Sequence, residues 1–262
     1  IKSISIKSHE KISEISTSGL LKGVKINNNK FKYNLIIVCA GNNSSLVKKL
    51  FSNQIIENFY KEISITAILN HSSLKNNTAR QIFLDNEILA LLPISNTKTS
   101  IVWSIKENMK EKNNFLLKKK IKFYVKNYLK DIKFATNIEY KNLKFLIRNK
   151  YFQDRTLLFG DALHVIHPFA GQGFNMTLRD LASLKKILNK KINLGLDIGS
   201  LDILSEFSDE IKPRNFAFSI GVDFLKNSLS FKKLRNNALK ILNKSNFAKD
   251  ILFNIADKGF KF

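Results

Sequence analysis

The sequence has little of what marks a secreted or membrane-spanning protein. A single cysteine, Cys39, excludes a disulfide within the chain. No apolar run approaches the roughly 18 residues that a membrane helix needs, and the best candidate, NLIIVCAG at 34–41, has only the length of a strand. No basic segment followed by an apolar one opens the chain. These absences predict a globular protein of a reducing intracellular compartment.

Acidic residues are also scarce, since 21 Asp and Glu stand against 44 Lys and Arg, a formal net charge of +23. Such an excess invites a nucleic-acid partner, but the lysines are scattered along the whole chain and no nucleic-acid-binding module is recognisable. The surplus of Lys, Asn, Ile and Phe is typical of a genome rich in A and T. We therefore expect no nucleic-acid partner, and we expect the lysines to favour weak attraction to an anionic membrane surface.

Glycine and proline are rare as well, with 10 Gly and 3 Pro in the chain, yet three glycines and one proline fall within residues 160–173. They belong to the stretch TLLFGDALHVIHPFAGQGFNMTLRD, which starts at Thr156. A strand that ends in Gly160-Asp161 presents a carboxylate at the carboxyl end of a sheet, where α/β proteins bind ligands. Gly171 and Gly173 let a flat ligand approach the backbone, and a helix that starts there favours negative charge at its first turn. The pattern predicts a flavin nucleotide site.

The rest of the chain predicts an α/β fold with an antiparallel insertion. NLIIVC at 34–39 reads as a buried strand of a parallel sheet, followed by a turn and a helix start. The segments EISITAIL, ARQIFL, EILALLPI and TSIVWSI, between about 60 and 105, favour an antiparallel sheet. An amphipathic helix is predicted from about 113 to 132, and residues beyond Asn193 are mainly helical. The helix after the glycines is expected to bury Leu178, Leu181, Leu184 and Leu188.

Asp161, His164 and His167 also read as D-x-x-H-x-x-H, a carboxylate and two imidazoles able to bind a divalent metal. These residues straddle a change from strand to loop, where this spacing does not ensure a common face, and a metal leaves the glycines unexplained. We therefore expect no metal and interpret His164 as a packing or hydrogen-bonding residue.

The segment GDALHVIHPFAGQGFNMTLRD resembles the GD motif of class A FAD-dependent aromatic hydroxylases, most closely the ubiquinone-biosynthesis hydroxylases. That motif has G-D-A-x-H, then H-P, then A-G-Q-G-x-N, then R-D, and every one of these residue types is present. The resemblance extends to ARQIFL, ILALLPI and TSIVWSI, and to NLIIVCAGNNSSLVKK, so it covers most of the chain. Family members also carry an N-terminal β-α-β unit with G-x-G-x-x-G. No such motif occurs in these residues, so we expect an N-terminally truncated member.

The resemblance implies a fold like that of para-hydroxybenzoate hydroxylase, in which a Rossmann-like FAD-binding domain is interleaved with a mostly antiparallel β substrate domain. Residues 1–55 are then a partial FAD-binding domain, and residues 56–150 are the substrate domain. Residues 151–192 return to the FAD-binding domain with the strand, loop and helix of the GD motif, and residues 193–262 form a helical C-terminal region.

The resemblance also implies seven cofactor-binding residues, which are Gly160, Asp161, Pro168, Gly171, Gln172, Gly173 and Asn175. Asp161 is expected to bind the ribityl and pyrophosphate region of FAD. The Pro168 turn and residues 171–173 are expected to line the isoalloxazine ring, with Asn175 near its pyrimidine end. No catalytic side chain is assigned, because a flavin hydroperoxide carries the chemistry in this family.

The implied function is that of an FAD-dependent monooxygenase that hydroxylates a polyprenylated phenol in ubiquinone biosynthesis with NAD(P)H and molecular oxygen. A lipid-soluble substrate predicts work at a membrane surface, together with other ubiquinone-pathway proteins. The expected location is cytoplasmic and peripheral to the inner membrane, or the mitochondrial matrix side in a eukaryote. The alternatives are a hydroxylase of a different small aromatic and a protein that binds flavin without hydroxylating.

One departure from the family keeps the binding-only alternative open. The family's second motif has Asp-Gly after its buried strand, whereas this chain has Ala40-Gly41. Because that motif supports both FAD and pyridine-nucleotide use, Ala40 bears on reduction by NAD(P)H more than on FAD binding.

Four further residues carry simple expectations. We interpret Trp103 as a core residue, with a place in a substrate wall as the alternative, and we expect Cys39 in the core. Arg80 fits a substrate-domain arginine or a surface charge on an edge strand, and Asp180 fits a local partner or a cofactor-side role.

Overall fold

The computed structural model describes residues 4–18, 20–51, 55–84, 87–109, 113–168, 171–229, 240, 245–247, 249–250 and 253–254. The strands, in chain order, are β1 Ile12–Ser18, β2 Leu21–Ile26, β3 Asn29–Tyr33, β4 Ile36–Val38, β5 Ile55–Asn70, β6 Arg80–Leu84, β7 Glu87–Ser95, β8 Lys98–Lys106, β9 Lys133–Phe134, β10 Glu139–Arg148, β11 Phe152–Gln153, β12 Thr156–Leu158 and β13 His164–Val165. The α-helices are α1 Ser45–Phe51, α2 Asn114–Val125, α3 Gln172–Asn193 and α4 Leu201–Leu229. Short 3₁₀ turns occur at Glu107–Met109 and Gly160–Ala162.

The chain divides into two compact units. The first unit comprises Ile1–Glu57, Phe145–Lys226 and Leu239–Phe262, and the second unit comprises Asn58–Lys144 and Asn227–Ala238. Each unit is therefore built from separate stretches of the chain. The finer domain boundaries inferred from the sequence stay a prediction.

A short parallel pair organises the first unit. β12 pairs in parallel with β4, with Leu158 opposite Val38, and β11 adds antiparallel to β12. The parallel arrangement predicted for the 34–39 segment is confirmed. The prediction that this strand is buried is only partly correct, since Ile37 is 41% exposed whereas β12 is buried throughout. Among the described strands, β4 ends the order β11-β12-β4 and therefore has a neighbour on one side only.

A three-stranded antiparallel sheet, β1-β2-β3, precedes this pair. Sequence reasoning assigned no elements there. Asn27, at φ 54°, lies in the tight turn between β2 and β3, where asparagine tolerates the left-handed conformation better than most residues. A run of asparagines between residues that alternate in polarity was a signal of this turn. Short, largely polar strands show only a weak alternation of hydropathy, so sequence reasoning did not predict them.

The second unit confirms the predicted antiparallel sheet. β5, β8, β7 and β6 lie side by side, and every pair among them is antiparallel. α2 packs on this sheet through Leu117, Ile121 and Val125, whose spacing matches the predicted apolar face. The helix is shorter than the predicted 113 to 132. It ends at Val125, and beyond this residue the Tyr128 and Leu129 amides both donate to the Val125 carbonyl in a final turn.

α3 and α4 cover the parallel pair in the first unit, where their apolar residues join one core. The leucine face predicted for α3 is wrong in part, since Leu178 is 47% exposed and Leu181 is 49% exposed. The buried positions are Met176, Asp180, Leu184 and Ile187. A spacing rule that counts leucines misses a face that contains a buried aspartate.

Candidate functional site

The site begins where β12 ends. Phe159 is still extended, and its amide donates to the Val38 carbonyl at 3.0 Å, so the parallel pairing continues to this point. Gly160 then turns the chain at φ 60°, and the Gly160–Ala162 turn is closed by the Leu163 amide on the Gly160 carbonyl at 2.8 Å. A Cβ on Gly160 would meet Thr177 Cγ2 at an ordinary 3.7 Å, so the positive φ is what favours glycine. The turn leaves the Asp161 carboxylate exposed at the carboxyl end of β12.

The segment after the turn begins buried in the interior and becomes exposed at Pro168. Its first residues, His164, Ile166 and His167, are buried, whereas Pro168 is exposed. Ile166 packs in a small apolar cluster with residues of α3 and α4. Phe169 and Ala170 lie outside the described residues. The start of the loop is therefore packed in the interior, whereas Pro168 and Gly171 are exposed.

Gly171 ends the loop and starts α3. Its φ is 67°, its amide donates to the Pro168 carbonyl at 3.1 Å, and a Cβ placed on it would meet nothing within 4 Å. As the N-cap of α3 it has no side chain to bond the first amides, and the first turn holds no acidic residue. Gln172 and Gly173 are half-buried, and the Asn175 amide donates to the Gln172 side-chain oxygen at 3.5 Å.

These features fit a flavin nucleotide. An exposed carboxylate suits the hydroxyls of a ribityl or ribose group, because an ionised carboxylate only accepts hydrogen bonds. The positive end of α3 meets no carboxylate of its own first turn, so it favours an electron-rich or anionic ligand atom. The bare backbone at Gly171 leaves room for a planar ring. The seven motif residues inferred from the sequence thus lie on one turn, one loop and one helix start within the first unit.

His164 and Asp180 form a buried pair behind the loop. His164 Nε2 lies 2.7 Å from Asp180 Oδ2, and the two side chains are 1% and 3% exposed. The Asn215 side-chain amide lies 3.1 Å from each Asp180 oxygen, so α4 is tied to α3 at the same point. Burial, followed by the Asp180 charge, raises the pKa of the neighbouring Tyr151 hydroxyl. Asp180 is therefore a local partner of His164, which was one of its two predicted roles.

The same pair bears on the metal alternative. His164 faces Asp180 in the interior, whereas Asp161 is exposed on the turn. Within the described part of the chain, no group of three His, Cys, Asp or Glu side chains is arranged to hold a metal ion. The expectation of no metal stays a prediction.

Several single residues can now be placed. Trp103 is fully buried in the second-unit sheet, as expected. Arg80 is exposed at the start of β6, the edge strand of that sheet, and its guanidinium donates to the Thr78 carbonyl. This placement agrees with the interpretation of Arg80 as a surface charge on an edge strand. The core placement of Cys39 is wrong, since it is exposed after β4, beside the exposed Ala40. None of the described helices has the length and hydropathy needed to cross a membrane.

Sequence reasoning missed two buried polar residues next to the motif, Arg148 and Asn215. Arg148 ends β10, and its guanidinium donates to the Ala162 carbonyl inside the GD turn at 2.6 Å. Asn215 lies in the middle of α4 and completes the Asp180 pair. Neither belongs to a recognisable motif, and neither has a spacing that distinguishes it from surface residues.

Solved structures share this architecture. The probable FAD-dependent monooxygenase PqsL of Pseudomonas aeruginosa superposes with a TM-score of 0.69 at 16% identity, over 88% of this chain and 66% of that one. Klebsiella pneumoniae HpxO, in complex with FAD and uric acid, gives a TM-score of 0.70 at 12% identity, over 95% and 65%. The fold is therefore that of the FAD-dependent monooxygenases, as predicted.

The sequence narrows the class to a family. The squalene epoxidase family profile matches residues 32–248, and the chain belongs to this family. It is also 26% identical over 309 aligned residues to the mitochondrial ubiquinone biosynthesis monooxygenase COQ6 of Dictyostelium discoideum, covering 97% of this chain and 62% of that protein. The ubiquinone hydroxylase UbiM of Neisseria meningitidis is 23% identical over 211 residues, covering 79% and 46%. The chain thus spans about half to three-fifths of these relatives.

Proposed function

We propose that the protein acts as an FAD-dependent monooxygenase that hydroxylates the ring of a polyprenylated phenol in ubiquinone biosynthesis. The observation that supports the proposal is that exposed Asp161, on its turn, is followed in the first unit by a loop and by the bare N-terminus of α3. The names of the relatives supply the substrate class. The reaction would transfer one atom of molecular oxygen to the ring and release the other as water, with two electrons from NAD(P)H.

The residues present have distinct tasks in this proposal. Asp161 would accept hydrogen bonds from the ribityl or ribose hydroxyls of FAD. Pro168 and the 171–173 backbone would lie against the ring, and the amides at the start of α3 would stabilise negative charge on its pyrimidine end, near Asn175. FAD, when bound, would supply the redox and oxygen chemistry, so no side chain of this chain is assigned a covalent role.

The reductant and the setting belong to the same proposal. NAD(P)H is the proposed electron donor, and the exposed Ala40 makes its direct use the least supported step. The lipid-soluble substrate and the formal charge of +23 favour work at an anionic membrane surface with other ubiquinone-pathway proteins. We place this surface at the inner membrane, on the matrix side in a eukaryote, without a nucleic-acid partner.

The test is hydroxylation by the intact protein. We expect NAD(P)H oxidation to accelerate when a prenylated phenol is added, oxygen to be consumed, and mass spectrometry to detect the hydroxylated ring in the presence of a metal chelator. A parallel reaction with chemically reduced flavin separates oxygen chemistry from NAD(P)H use. Reduced protein that releases only hydrogen peroxide with every prenylated and small aromatic phenol tested would leave the binding-only function, which Ala40 favours.

A further inference from the structure

Arg148 is a buried cation beside the GD turn. It is 2% exposed and ranks among the largest fully buried side chains. Burial lowers the pKa of its guanidinium, and the charge of Glu57 acts in the opposite direction. Its guanidinium donates to two main-chain carbonyls, those of Ala162 and Phe51. Burial of a guanidinium is costly unless acceptors meet its donors, so the two carbonyls are what its buried position matches.

Those bonds converge on the turn that carries Asp161. Arg148 Nε donates to the Ala162 carbonyl at 2.6 Å, and the Arg148 amide donates to the Leu163 carbonyl at 3.2 Å. Arg148 Nη1 donates to the carbonyl of Phe51, the last residue of α1, at 3.2 Å. The planar guanidinium can hold two carbonyls in fixed directions, whereas a lysine ammonium acts as a point charge.

We infer that Arg148 is a positioning residue for the GD turn, holding Gly160–Ala162 in the conformation that presents Asp161 to a flavin nucleotide. The turn is short and contains a glycine, a residue with wide conformational freedom, so a bond from outside the turn restricts it further. The Arg148 guanidinium holds the carbonyl of Ala162, the residue after Asp161, and ties it to the end of α1. The bond to the Leu163 carbonyl comes from the Arg148 main-chain amide and does not depend on the side chain. The flavin part of this inference rests on the proposed function, but the part about the turn does not.

The first test needs no flavin. Amide hydrogen exchange is measured across residues 159–165 in the 262-residue chain, in wild type, Arg148→Lys and Arg148→Met. We expect exchange in this segment to rise at least about tenfold in both variants, because the opening free energy of the turn falls. Arg155→Met is the matched control. Arg155 also donates to a main-chain carbonyl, that of Asn34, but it does not contact the turn.

The second test measures the Kd for FAD and the visible spectrum of bound flavin in the intact protein. We expect both Arg148 variants to bind FAD about tenfold more weakly with an altered spectrum, since one charge-assisted hydrogen bond is worth roughly that factor. Arg155→Met should bind FAD like wild type. Arg148→Lys keeps the charge and about the length of the side chain, so it still tests the role of the guanidinium if Arg148→Met does not fold.

The two tests distinguish a role of Arg148 in the turn from a role in core packing alone. If exchange across 159–165, the Kd and the spectrum all stay at wild-type values while only the melting temperature falls, Arg148 merely fills the core and the inference is overturned. If wild-type protein binds no FAD, the proposed function and the flavin part fail together. Faster exchange in the Arg148 variants would then still support the role in the turn.

Discussion

At the scale of single residues, the motif residues differ in what they should control. Asp161 is exposed on its turn, whereas His164, three positions later, is buried against Asp180. A carboxylate open to solvent can be lost with little cost to folding, but a buried imidazole paired with a carboxylate cannot. Ligand binding and stability should therefore separate at these two positions.

We predict that Asp161→Ala weakens FAD binding to the intact protein about tenfold or more, because a hydrogen bond to a charged group is worth roughly 1.5 to 3 kcal/mol. His164→Ala should chiefly lower the free energy of unfolding. Flavin fluorescence titration and chemical denaturation measure the two effects. Loss of flavin binding in His164→Ala, with none in Asp161→Ala, would contradict the assignment of the motif.

Two glycines offer a second pair of substitutions with opposite consequences. A Cβ on Gly199 would lie 1.9 Å from the Asn34 carbonyl oxygen, whereas a Cβ on Gly173 would meet only Ile166 Cγ1 at 3.8 Å. Gly199→Ala should therefore lower the free energy of unfolding by about 1 to 3 kcal/mol through overpacking.

Gly173→Ala is its matched control and should fold almost as stably as wild type, because the added methyl group meets Ile166 at an ordinary distance. It should bind flavin more weakly, because Gly173 is proposed to lie against the ring. Thermal unfolding without flavin and titration with FAD distinguish the two. Equal stability of both variants would show that the backbone at Asn34 yields to the added methyl.

At the scale of elements, the sequence pattern predicts where α3 starts but not which of its faces is buried. The predicted start near Gly173 is close to the observed start at Gln172, because glycine punctuation marks helix ends well. The buried face was misjudged, since Asp180 is buried by its bonds to β13 and α4 rather than by its own hydropathy. A partner that is distant in sequence decides this face, and a local window does not contain it.

A second contact between elements should make the stability of the protein depend on pH. Arg155, just before β12, makes a paired contact with Asp197, just before α4, and Nη1 lies 2.9 Å from Oδ1. The hydrogen bond from Arg155, followed by that from the Gly199 amide, lowers the pKa of Asp197 from its ordinary 3.8 to about 2. The folded state thus prefers the ionised carboxylate, so the contact stabilises above the ordinary pKa and is lost as pH falls toward 2.

We predict that Asp197→Asn is less stable than wild type at pH 6 to 7, and that this difference shrinks as pH falls from about 4 to about 2. The difference should be small, because Asp197 is partly exposed and solvent screens the pair. Urea unfolding at a series of pH values measures it. A difference that stays constant down to pH 2 would mean that the carboxylate charge contributes nothing.

At the scale of the whole molecule, the proposed flavin site uses only part of the contacts that FAD needs. The residues present supply a carboxylate, a bare loop and a helix start, but no G-x-G-x-x-G sequence for a pyrophosphate occurs in these 262 residues. We predict that this chain by itself binds FAD weakly. Purification followed by absorption spectroscopy checks this, and stoichiometric yellow flavin retained by residues 1–262 would prove the prediction wrong.

Elements with local signals could be predicted from the sequence. Glycine and proline in a chain poor in both marked the GD turn and the start of α3, and alternation at period two marked β5 to β8. These signals survive in one dimension because backbone conformation and strand patterning depend on neighbours only a few residues away. The same stretch was enough to indicate the class of protein.

The buried polar residues beside the motif are visible only in the folded structure. Arg148, Asp180 and Asn215 lie on β10, α3 and α4, and each is buried because its partner comes from a different element. A buried charge or amide is tolerated only when a partner meets it with the right geometry, and no sequence spacing reports that distance. The same limit explains why Cys39 and the outer leucines of α3 were placed in the core, since hydropathy states what a residue prefers and packing decides what covers it.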